Sequence, residues 1–117
     1  MSPINSEALA REHPEYSRAL RRLISWINSQ KDLRFINPKW LAKQVSGVDK
    51  TDLAAALTLL ERAGYLRLVY KVLTPSGVLA EGEFDDPTKI PERLPDRLEH
   101  YFDTSEADVV PIFKMVA

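Results

Sequence analysis

Glu99, His100 and Asp103 stand close in the chain and are the residues best equipped for acid–base or metal chemistry. An imidazole flanked by two carboxylates could move a proton near neutral pH or offer a mixed nitrogen and oxygen ligand set. Glu81, Glu83, Asp85 and Asp86 form a second acidic run whose oxygens suit a hard cation. Neither group has a recognisable framework. The acidic run lacks the loop spacing and central glycine of a calcium site. The other histidine, His13, precedes a proline, and the four glycines form no phosphate-cradling loop. With no cysteine, thiolate chemistry, disulfides and zinc fingers are excluded. The expectation is a protein that is not an enzyme and that needs no metal and no cofactor.

The 117 residues suffice for one domain with a modest core, and 44 % hydrophobic with 28 % charged residues is ordinary globular composition. No apolar run reaches the length of a membrane span, and the start Met1-Ser2-Pro3-Ile4-Asn5-Ser6 does not read as a secretion signal. The expected location is cytoplasmic. Net charge is −1, but it is unevenly placed. Residues 1–75 carry 12 Lys and Arg against 7 Asp and Glu, whereas residues 76–117 carry 4 against 10. Such asymmetry suggests an interaction surface of one sign beside a tail of the other.

Pro14 suits the first turn of a helix running from Glu15 to Gln30, with Tyr16, Leu20, Leu23, Ile24 and Ile27 on one stripe and Arg18, Arg21 and Arg22 off it. Leu33 to Ile36 could add a short strand. Asn37 caps and Pro38 opens a second helix, in which Leu41 and Val45 face inward; Ser46-Gly47 breaks it. Asp49 caps a third helix from Lys50 to Ala63, closed by Gly64. Leu66 to Leu73 and Val78 to Phe84 alternate about the turn Thr74-Pro75-Ser76-Gly77, which predicts a hairpin. Prolines 87, 91, 95 and 111 punctuate the remainder. Pro95 could open a helix to Phe102, and Val109–Val116 reads as a strand that Pro111 confines to a sheet edge.

The order helix, short strand, helix, turn, helix, hairpin resembles the winged helix–turn–helix family. Leu41-Ala42-Lys43-Gln44-Val45 with Val48-Asp49-Lys50-Thr51 is similar to that family's helix–turn–helix core, and Leu57 through Leu60-Glu61-Arg62-Ala63-Gly64-Tyr65-Leu66 to its L-x-x-L-E-x-x-G-Y/L ending. The fold class so implied is α+β: a three-helix core with a short hairpin wing over residues 15–84, an N-terminal arm over 1–14, and an acidic Pro-rich extension over 85–117 that packs back and ends in a strand.

In DNA-binding members of such a family, the second helix of the motif enters the major groove. Here that helix would present Lys50, Thr51, Ala54, Ala55, Thr58, Leu59 and Arg62, a face with few groups that donate or accept in pairs. The wing tip lacks Arg or Lys, and the acidic run that follows would oppose phosphate binding. The same small, nearly uncharged face suits close packing against a protein. The first expectation is therefore a regulatory interaction module that docks a protein partner or a second copy of itself. The alternative is a transcriptional regulator on duplex DNA, with Arg18, Arg21, Arg22, Lys39 and Lys43 on phosphates. Trp26 and Trp40 are expected to be partly buried structural residues.

Overall fold

The structure, a computed structural model, describes residues 4, 6–96 and 98–116. The chain is α+β, with four α-helices and antiparallel sheets among the described residues. Helix α1 spans Ser6–Glu12, α2 Ser17–Ser29, α3 Pro38–Gln44 and α4 Lys50–Arg62. Strand β1 is Phe35–Ile36, β2 Leu66–Val72, β3 Arg93–Pro95, β4 Tyr101–Asp103 and β5 Val109–Met115. No helix among the described residues is long and apolar enough to cross a membrane.

Packing separates the chain into two compact units. One runs to Arg67 and resumes at Phe113; the other is Leu68–Ile112. The division falls inside β2 and β5 rather than at residue 84.

In the first unit, α2 follows a single turn of 3-10 helix at Pro14–Tyr16 and buries Ala19, Leu20, Leu23, Ile24 and Ile27. Helix α4 turns Leu53, Ala56, Leu57 and Leu60 onto the same core, with Leu20 and Leu60 fully inaccessible. Asn37 accepts the Lys39 N–H at 3.0 Å and Asp49 the Thr51 N–H at 3.3 Å, so both expected caps form. At the end of α4, Tyr65 N–H reaches Leu60 O and Gly64 N–H reaches Glu61 O, both at 3.0 Å, while Gly64 sits at φ +88. That pair of bonds satisfies carbonyls the helix leaves open.

Within the expected N-terminal arm, Ser6–Glu12 form a helix; of residues 1–14, Met1–Pro3 and Asn5 lie outside the described set. Helix α1 packs on α2 with Leu9 and Ala10 buried. Ile4 exchanges two 3.1 Å hydrogen bonds with the Asn28 side chain. Among the described residues, four helices instead of three contribute buried side chains to this core.

Strands β1, β5 and β2 form one sheet in that order. Phe35 pairs with Lys114 and Ile36 with Phe113; Val116 N–H meets Tyr65 O at 3.1 Å and Leu73 N–H meets Asp108 O at 2.9 Å. Strand β5 is therefore the middle strand, contrary to the edge position expected of Pro111. The sheet tolerates Pro111 because the pairs with β1 are confined to Phe113 and Lys114, and proline's missing N–H lies beyond them.

In the second unit, the chain turns back at Thr74–Gly77, where buried Thr74 donates its hydroxyl to Val78 O at 2.8 Å. The expected hairpin forms in part. Leu73 bridges to Leu79 and Tyr70 to Phe84, so the returning segment advances five residues while β2 advances three. The two surplus residues, with Gly82 at φ +96, make a bulge and break the ladder. The helix expected from Pro95 to Phe102 is absent from the described residues there. Strands β3 and β4 pair instead, Arg93 with Asp103 and Leu94 with Phe102. Between them Asp96 Oδ1 accepts the N–H of Leu98 at 2.8 Å and of His100 at 2.9 Å, which closes a tight turn.

Candidate functional site

The outer face of α4 is presented much as its spacing predicts. Lys50, Thr51, Ala54, Thr58 and Arg62 are exposed, while Ala55 and Leu59 are half-buried at the flanks. Its polar chemistry is poor. The Thr58 hydroxyl donates to Ala54 O at 3.0 Å, and the Asp49 carboxylate is engaged at the helix start. Ala54 and Ala55 offer only methyl groups.

Helices α3 and α4 meet at a cleft of about 220 Å³ lined by Pro38, Leu41, Ala42, Leu53, Ala54 and Leu57, with Lys39 and Lys50 at its rim. Leu41, Leu53 and Leu57 form a buried floor. The cleft exists because an alanine stands on each helix where a longer side chain would fill the space. It is smaller than sites that take drug-sized ligands, and its scale is that of a side chain. Lys39 and Lys50 are exposed and make no salt bridge among the described residues. An apolar group carrying a neighbouring carboxylate matches this combination.

Besides Lys39 at the cleft, the cations proposed for phosphate contact divide into three sets. Arg21 forms a salt bridge with Glu7 of α1, both about half exposed, which weakens its candidacy. Arg18 and Arg22 converge on the α3–α4 turn: a Cβ placed on Gly47 would lie 3.3 Å from Arg18 Nη2 and 3.8 Å from Arg22 Nη2. The two guanidiniums are thus held near one point and have no carboxylate partner among the described residues. Lys43 places its ammonium 5.3 Å from the centre of the Trp40 ring. Trp40, expected to be partly buried, is 57 % exposed; Trp26 is half-buried.

The acid–base candidates stay on the surface. Glu99, His100 and Asp103 are exposed, and no group of three His, Asp or Glu among the described residues converges as a metal site. Asp86 and Asp103 have carboxyls held below the ordinary 3.8. In Asp86 the first cause is the backbone N–H of Thr88, followed by the Thr88 hydroxyl; in Asp103 the backbone N–H and then the hydroxyl of Ser105 do the same. Both are turn-forming carboxylates.

The cleft-lining Pro38, Leu41, Ala42, Leu53 and Leu57 were not singled out from the sequence as site residues. The available signal was the pair of alanines at 42 and 54, each next to a core leucine. No protein-family model, no curated protein and no solved structure matches this chain.

Proposed function

We propose that the chain is a non-catalytic interaction module of winged-helix type, and that the face of α3 and α4 docks a protein. The single observation that carries this reading is the small apolar cleft at Ala42 and Ala54 with Lys39 and Lys50 at its rim. The winged-helix assignment is supported by the element order from α2 to the returning segment after β2. A protein ligand suits the face better than base edges do, because methyl groups shed little hydration on contact and read no hydrogen-bond code. The ligand class is a peptide or loop with one apolar anchor beside Asp or Glu.

Panning random peptides against the full chain, with counter-selection on an Ala54→Arg variant, checks this. Enriched sequences should pair an apolar residue with an acidic neighbour and bind the variant at least about tenfold more weakly, a loss of ~1.4 kcal/mol. Peptides that bind both proteins equally would place the docking face elsewhere.

A second reading, duplex DNA, is favoured by the paired Arg18 and Arg22 at Gly47. It requires binding that weakens steeply with salt. A gel-shift series should show no such binding. Tight, salt-sensitive retardation abolished by Arg18→Glu with Arg22→Glu would reverse the ranking.

A further inference from the structure

We propose that the occupant of the α3–α4 cleft is the β3–β4 turn of a second copy of this chain, an inference that rests on the docking reading above. Three observations point to it. The first is charge. The unit that ends at Arg67 and resumes at Phe113 holds 12 Lys and Arg against 7 Asp and Glu, whereas Leu68–Ile112 holds 4 against 10. Each copy thus offers a cationic and an anionic partner surface, and complementary potentials steer such surfaces together.

The second observation is the pattern of exposure. Leu98 at 76 % and Tyr101 at 64 % are the two most exposed large hydrophobic residues among those described, and both belong to the anionic unit. They lie on either side of Glu99 and His100 in sequence, and Arg97 precedes Leu98. This is the chemistry the cleft asks for: an apolar anchor for the floor of Leu41, Leu53 and Leu57, and a carboxylate for Lys39 and Lys50.

The third observation is that the described residues of the turn are tied together by hydrogen bonds. Asp96 accepts from Leu98 and His100 through its side chain, Asp96 N–H reaches His100 O at 2.8 Å, and Glu99 N–H reaches Asp96 O at 3.0 Å. Glu99 is held at φ +65, a conformation side chains disfavour. Residues tied in this way give up little entropy on docking.

The interface is heterologous, because turn and cleft are different surfaces of the same chain. It propagates from copy to copy unless the rotation closes a ring. Analytical ultracentrifugation of the full chain supplies the test, with two variants at exposed positions chosen to preserve the fold. Leu98→Ser with Tyr101→Ser removes the anchor and leaves the cleft; Ala54→Arg fills the cleft and leaves the anchor. Wild type should gain mass with concentration, and each variant alone should stay monomeric. An equimolar mixture of the two should form a 1:1 dimer and nothing larger, since only one turn and one cleft remain intact.

A wild type that stays monomeric up to about 1 mM, the weak end of specific affinity, overturns the proposal. So does a mixture that remains monomeric while wild type associates. A monomeric wild type that still selects acidic–apolar peptides at Ala54 would remove the second copy as occupant and leave the docking reading standing. Failure of the peptide selection as well would remove both.

Discussion

Asp86 and Asp103 each spend a carboxylate on the N–H two residues ahead, Thr88 and Ser105 at 2.9 Å. Bonding to the charged form lowers both pKa values, so the folded protein binds fewer protons than the unfolded chain near 3.8. The sign follows. Their contribution to stability is present above pH 3.8 and is lost as pH falls through the lower, folded-state values. Carboxyl-carbon NMR titration of the folded protein should give midpoints below 3.8 for both residues. Midpoints at or above that value would mean that the two turns are not held by these side chains. The same residues show why acidic runs mislead at this scale: the sequence displays the charges of Glu81 to Asp86, but not which oxygen a backbone N–H has already taken.

Helices and their joints were legible because their signals are local. Asn37-Pro38 and Asp49 act as caps where their types predict, and Gly64 takes the left-handed position after α4. The expectations failed where a competing turn or a distant strand decides the element. Leu98, Tyr101 and Phe102 have helical spacing after Pro95, yet Asp96 captures two nearby N–H groups and closes a turn between strands. Pro111 reads as an edge marker, and nothing in β5 itself reveals that its partner β1 is only two residues long. The cleft was hidden for a related reason: Ala42 and Ala54 look like ordinary helix formers until α3 and α4 are set side by side.

The joint between those helices, at Gly47, is testable against the end of α4, at Gly64. Gly64→Ala meets no atom within 4 Å and should cost about 1 kcal/mol from the left-handed backbone alone. Gly47→Ala, at φ +77, should cost that and also displace Arg18. Urea denaturation of Gly47→Ala with and without Arg18→Ala should reveal a favourable coupling. Strict additivity would mean that Arg18 does not rest on the turn.

For the whole molecule, the charge split visible in the sequence turns out to follow the division into compact units almost residue for residue. The totals found on either side of residue 75 are those of the two units. What composition could not supply was the pairing of charge with shape: a lysine-rimmed apolar cleft in one unit and an apolar turn that carries Glu99 in the other. These two components of an interface respond differently to salt. Long-range attraction accelerates encounter and is screened over about 8 Å at physiological ionic strength and about 3 Å at 1 M. Burial of Leu98 in the cleft is short-ranged and little affected by NaCl. Stopped-flow mixing of the two complementary variants, one with an intact turn and one with an intact cleft, isolates a single interface. Raising NaCl should slow association severalfold and leave dissociation nearly constant. If the salt effect appeared in the dissociation rate instead, Lys39 and Lys50 would be making close ion pairs that hold the complex together, and the apolar anchor would not be what retains the partner.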